Sequence, residues 1–107
     1  MENIIVNTAS GAYPIYFETD FSGLAKAAEK CGYRGKKLCI ISDDNVSPIY
    51  SENVSRELGK VFSEIKICVF KAGEKSKTLD TIKDFYKFLL ENKFDRKSVI
   101  AGLGGGV

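Results

Sequence analysis

With 107 residues, 44% of them apolar and 28% charged, the chain has the size and make-up of one globular domain, or of part of a larger one. Its 16 basic and 14 acidic residues leave a net charge of +2 and are scattered, so the charge balance favours neither nucleic acid nor a membrane surface as partner. Histidine is absent, which rules out Ser-His or Cys-His nucleophilic catalysis and any histidine-containing metal site within these residues.

The first element predicted is a strand from Asn3 to Thr8, carrying Ile4, Ile5 and Val6. Ser10-Gly11 turns the chain, and the alternation of Tyr13, Ile15 and Phe17 predicts a returning strand over Ala12 to Glu18, hence an N-terminal hairpin. Pro14 has no amide hydrogen to give a ladder, so this second strand belongs at an edge or bends there. Asp20 is the expected cap of a helix with Leu24, Ala25, Ala27, Ala28 and Cys31 on its apolar face and Gly32 as its stop. Lys37 to Ser42 is almost continuously apolar, as in a strand covered on both faces.

Ser47-Pro48 then reads as a helix start, with serine as N-cap and proline in the first turn. Ile49, Tyr50, Val54 and Leu58 form its expected apolar face, and Gly59 ends it. Glu64 to Phe70 alternates as a strand, and Lys71 to Ser76 is a polar loop. Leu79, Ile82, Phe85, Tyr86, Leu89 and Leu90 recur at helical spacing, the clearest amphipathic signal in the chain. After a turn over Asn92 to Lys97, Ser98 to Ala101 is the last strand. Helices alternating with strands in this way predict a Rossmann-like α/β fold, in which a mainly parallel sheet carries helices on both faces.

Cys31, Cys39 and Cys68 are odd in number and show no C-x-x-C spacing, so they read as small buried residues in a reducing compartment rather than as redox or metal sites. No apolar run approaches the roughly 20 residues of a membrane span, and no charged-then-apolar leader precedes the first strand. The expected location is cytoplasmic.

Ligands of open parallel sheets bind beyond the carboxyl ends of the strands, and three loops leave such ends here. Asp43-Asp44-Asn45 offers carboxylates and an amide suited to ribose hydroxyls, but taken alone it reads better as a turn and helix cap. Ala72 to Lys77 is as well suited to a solvated connection as to a ligand loop, in which Gly73 admits close approach and Glu74 and Lys77 supply an acceptor and a cation. The third loop, Gly102-Leu103-Gly104-Gly105-Gly106-Val107, matches neither the P-loop pattern nor the full dinucleotide fingerprint. Three consecutive glycines after a buried strand carry a large entropic cost if they only turn the chain, which favours phosphate binding by their amides.

Together these loops resemble the N-terminal part of the 3-dehydroquinate synthase family. The resemblance is carried by Ser42-Asp43-Asp44-Asn45-Val46 with Tyr50, by Gly73-Glu74-Lys75-Ser76-Lys77, and by Asp95-Arg96 followed by Ile100 to Val107. It implies an enzyme, a carbon-oxygen lyase of the shikimate pathway of aromatic amino-acid biosynthesis. Such an enzyme converts 3-deoxy-D-arabino-heptulosonate 7-phosphate to 3-dehydroquinate and phosphate, using NAD catalytically together with a divalent metal, zinc or cobalt. By the same resemblance Asp43 and Asn45 would meet the adenosine side of NAD. Glu74 and Lys77 would contact the ribose and its neighbours, within a cofactor loop that includes Gly73, Lys75 and Ser76. Gly104, Gly105 and Gly106, with Val107 after them, would hold the pyrophosphate.

The family continues past this point into a helix and a helical domain that bears the metal ligands and most substrate contacts. Residues 1–107 are therefore expected to be an incomplete N-terminal NAD-binding domain with no catalytic and no metal-binding residue of its own. It should be inactive alone and should bind NAD weakly, whereas the complete enzyme is expected to act on a sugar phosphate as a homodimer. Two other readings stay open. One is another sugar-phosphate cyclase or a metal-dependent polyol or alcohol dehydrogenase of the same superfamily, and the other is a free-standing, non-catalytic nucleotide-binding module.

Overall fold

The computed structural model describes residues 2–71 and 79–104. Strands β1 (Glu2–Thr8) and β2 (Gly11–Phe17) form the expected antiparallel hairpin, in register from Thr8 opposite Gly11 at the turn to Glu2 opposite Phe17 at the open end. Among the described residues its sheet has these two strands alone, so Pro14 lies on an edge.

Helix α1 (Leu24–Lys30) leads to β3 (Lys37–Asp43), α2 (Ser47–Leu58), β4 (Glu64–Phe70), α3 (Leu79–Glu91) and β5 (Val99–Leu103). The three later strands make one parallel sheet in the order β4-β3-β5. β3 is thus paired on both sides, and Leu38, Cys39 and Ile40 are fully buried. That position explains why its sequence is an apolar run rather than an alternating one.

The register puts Leu38, Ile40, Ile65, Ile67, Val99, Ala101 and Leu103 on one face. They pack against Val54 and Leu58 of α2, against Val61 and Phe62 just beyond it, and against Leu24, Ala25 and Ala28 of α1. Burying side chains the size of Leu38 and Ile40 is worth roughly 2–3 kcal/mol each. On the opposite face Phe85 of α3 meets Phe70 edge-on, with ring centroids 6.0 Å apart. Helices therefore cover both faces, because the step from β3 to β4 and the step from β4 across to β5 run in opposite directions along the sheet.

Several local expectations need correction, among them Ile49, which is exposed rather than packed with Val54 and Leu58. Asp20 does not cap α1; its carboxylate accepts the amide and hydroxyl of Ser22 within the preceding turn, and Gly23 is the N-cap. Those two bonds hold the Asp20 carboxyl below its ordinary pKa. Ser47 is not the cap of α2 but its first residue, buried, with Val46 at the cap position. Cys31 is exposed at the end of α1, unlike Cys39 and Cys68. Gly32 does stop α1, at φ 79°, a conformation that glycine adopts without strain.

Amphipathic α3 is seated on one side only. Phe85, Phe88 and Leu89 are half-buried, while Ile82, Tyr86 and Leu90 are exposed, Leu90 by 76%. A cleft of about 350 Å³ opens between this helix and β5, lined by Tyr86, Leu89, Leu90, Phe94 and Ile100. At the far end of α3 the Lys37 ammonium donates to the carbonyls of Asn92 and Lys93, at 2.9 and 3.0 Å, and lies 5.0 Å from the centre of the Phe94 ring. A cation there satisfies carbonyls at the negative end of the helix dipole.

Candidate functional site

All three parallel strands end at one edge. Asp43 is level with Phe70 and Ser42 with Leu103, so the loops that follow residues 43, 70 and 103 leave side by side. The edge is also where the strand order reverses, with β3 in the middle and its two successors on opposite sides. Crevices at such reversals are where open α/β sheets hold ligands.

Asp43 closes β3 and opens the turn into α2. One oxygen of its carboxylate accepts the amide of Asn45 at 2.9 Å and that of Val46 at 2.7 Å. The turn that the loop suggested by itself is therefore present, held by Asp43, whose bonds go to amides ahead of α2, while no side chain caps the helix itself. The amide of Asp44 donates to the carbonyl of Phe70 at 2.9 Å, which ties this loop to the end of β4. Asn45 is exposed beside it.

Gly104 follows β5 directly. Among the described residues, a Cβ built there would meet nothing within 4 Å beyond its chain neighbours, so the backbone is open to approach at this point. Gly73, Glu74, Lys75, Ser76 and Lys77, and likewise Gly105, Gly106 and Val107, lie outside the described residues. The described part of the predicted site is thus Asp43, Asn45 and Gly104, standing at the ends of two adjacent strands. It suits an extended ligand carrying phosphate, which could run along the edge with its anionic part against bare backbone.

Sequence reading overlooked one contact here. Ser42, 5% exposed, donates its hydroxyl to the carbonyl of Leu103 at 2.9 Å across the β3–β5 boundary. A lone hydroxyl at the end of an otherwise apolar buried strand was the available signal, since a buried hydroxyl requires a partner. Among the described residues no group of three or more His, Cys, Asp or Glu could hold a metal ion.

Residues 67–107 match the family model described as 3-dehydroquinate synthase N-terminal. Over its whole length the chain is 37% identical to a 3-dehydroquinate synthase of Acetivibrio thermocellus, covering 29% of that protein. The resemblance to 3-dehydroquinate synthase is borne out. A second such synthase, from Clostridium tetani, is 41% identical over 96 residues, which are 89% of this chain and 25% of that one. The chain spans under a third of the length of these 3-dehydroquinate synthases. Among solved structures, a 2-deoxy-scyllo-inosose synthase complexed with carbaglucose-6-phosphate, NAD+ and Co2+ superposes with a TM-score of 0.84. That superposition covers 98% of this chain and 29% of the other at 21% identity, a likeness of fold. The Rossmann-like reading of the sequence holds.

Proposed function

We propose that this chain is the N-terminal, NAD-binding part of a 3-dehydroquinate synthase. The complete enzyme would convert 3-deoxy-D-arabino-heptulosonate 7-phosphate to 3-dehydroquinate and phosphate. The observation that carries the reading is the alignment of the β3, β4 and β5 carboxyl ends at a reversal of strand order, where Gly104 leaves backbone bare. Similarity to synthases of that name over the full chain supports the choice of reaction. The NAD+, Co2+ and sugar-phosphate analogue named for the 2-deoxy-scyllo-inosose synthase structure agree with it.

Bound NAD would supply a hydride acceptor that gives the hydride back within each turnover. The part of this chain is to hold it. Asp43 and Asn45 would meet the adenosine side, with Gly73, Glu74, Lys75, Ser76 and Lys77 along the ribose and neighbouring groups. Gly104, Gly105 and Gly106, ahead of Val107, would lie against the pyrophosphate. A divalent metal, the sugar-phosphate contacts and the catalytic groups would come from the rest of the enzyme, and so would a homodimer interface. On this reading the 107 residues are inactive alone.

Titrating the chain with NAD while following backbone amide resonances tests the proposal. Dissociation weaker than micromolar is expected, with the shifts concentrated at Asp43, Asn45 and Gly104. Shifts confined to the opposite edge of the sheet, or none at millimolar NAD, would overturn it.

A further inference from the structure

Resting on the cofactor reading above, we infer that Ser42 is a positioning residue, and that its hydroxyl fixes where the phosphate-binding glycine loop begins. Ser42 and Leu103 form the last paired rung between β3 and β5. Beyond it β3 turns away through the Asp43 loop, whose next amide, that of Asp44, is given to β4 instead. The Ser42 hydroxyl donates to the Leu103 carbonyl at 2.9 Å from a buried side chain, in a partly buried setting that strengthens the bond.

The peptide plane containing that carbonyl also contains the amide of Gly104, because C=O and N–H of one peptide are coplanar and opposed. Holding the oxygen toward β3 therefore sets the direction of the first amide hydrogen of the glycine loop. It does so at a residue whose lack of Cβ leaves two rotatable bonds with little steric restriction. The side chain belongs to the residue just before Asp43, so one short segment both opens the adenosine-side turn and aims the phosphate-side loop. A serine here is thus more than a filler of the strand end.

The test compares ADP-ribose, which contains the pyrophosphate, with adenosine, which does not, on wild type, Ser42→Ala and Ser42→Thr. In Ser42→Ala the affinity for ADP-ribose should fall roughly five- to tenfold, the usual worth of one hydrogen bond. Adenosine affinity should stay within about twofold, and Ser42→Thr, which keeps the donor, should restore the wild-type ratio. The ratio is the readout, so a smaller folded fraction lowers both affinities and cancels. The Gly104 amide resonance should move in Ser42→Ala without any ligand, while that of Gly59, in a helix cap away from this edge, stays in place. Equal losses for the two ligands, or an unmoved Gly104 resonance, would overturn the positioning role alone. Failure of wild type to bind either ligand would overturn the cofactor reading and this inference with it.

Discussion

Cysteine chemistry is decided residue by residue. Burial pushes the Cys39 thiol up to about 11, with the neighbouring Cys68 adding to the shift, and burial raises Cys68 as well. Both stay protonated at neutral pH, and only Cys31 is exposed. A thiol reagent at pH 8 should therefore modify one cysteine in the native chain and all three after unfolding, as counted by mass spectrometry. Because the folded Cys39 holds its proton to a higher pH than an unfolded one, its contribution is intact below pH 9.0 and is lost as pH rises from there toward about 11. Urea midpoints measured across that interval should fall. Asp95 works in the opposite sense. The amide of Lys97 and the Ser98 hydroxyl favour its charged form, so any stabilisation appears as it ionises and is lost on acidification.

At the level of elements, β3 was the most legible part of the sequence and Ser47 the least. An unbroken apolar stretch has one physical meaning in a parallel sheet, and Leu38 to Ile40 carry it. Ile40→Ala should accordingly cost about 2–5 kcal/mol in denaturant unfolding. Ile49→Ala, on the exposed side of α2, should change stability by roughly 0.5 kcal/mol or less. Capping was harder to read because Asp43, Asp44, Asn45 and Ser47 are all capping residue types within five positions, yet no side chain caps α2 and the Asp43 carboxylate closes the turn ahead of it. Asp43→Ala should destabilise the chain by about 1 kcal/mol. The three aligned strand ends followed from alternation of helix and strand, whereas the Ser42 bond depends on a register that no local pattern specifies. Periodicity correctly located α3, yet Ile82, Tyr86 and Leu90 remain outside the packing, since spacing reports which side is apolar and not whether anything covers it.

Across the whole molecule, apolar surface is distributed unevenly. Ile4, Ile5, Tyr13, Ile15 and Phe17 are exposed on the hairpin, and Tyr86, Leu90 and Ile100 are exposed around α3 and β5. An isolated two-stranded sheet is marginal in water, and patches of this kind promote association. Dynamic light scattering of the 107-residue chain should show self-association growing with concentration, reduced by Tyr86→Ser with Leu90→Lys at little cost in thermal midpoint. Among the described residues no helix is long and apolar enough to cross a membrane.

The central place of β3 also sets an order of events during synthesis. A nascent chain that has emerged as far as Phe70 already possesses both members of the β3–β4 pair, whereas the rung joining Ser42 to Leu103 must wait for another 33 residues. Pairing across the shorter separation closes the smaller loop and loses less chain entropy. The nucleotide edge is then the part of the sheet completed last, and slowing of folding should follow Ile67→Val more than Val99→Ala.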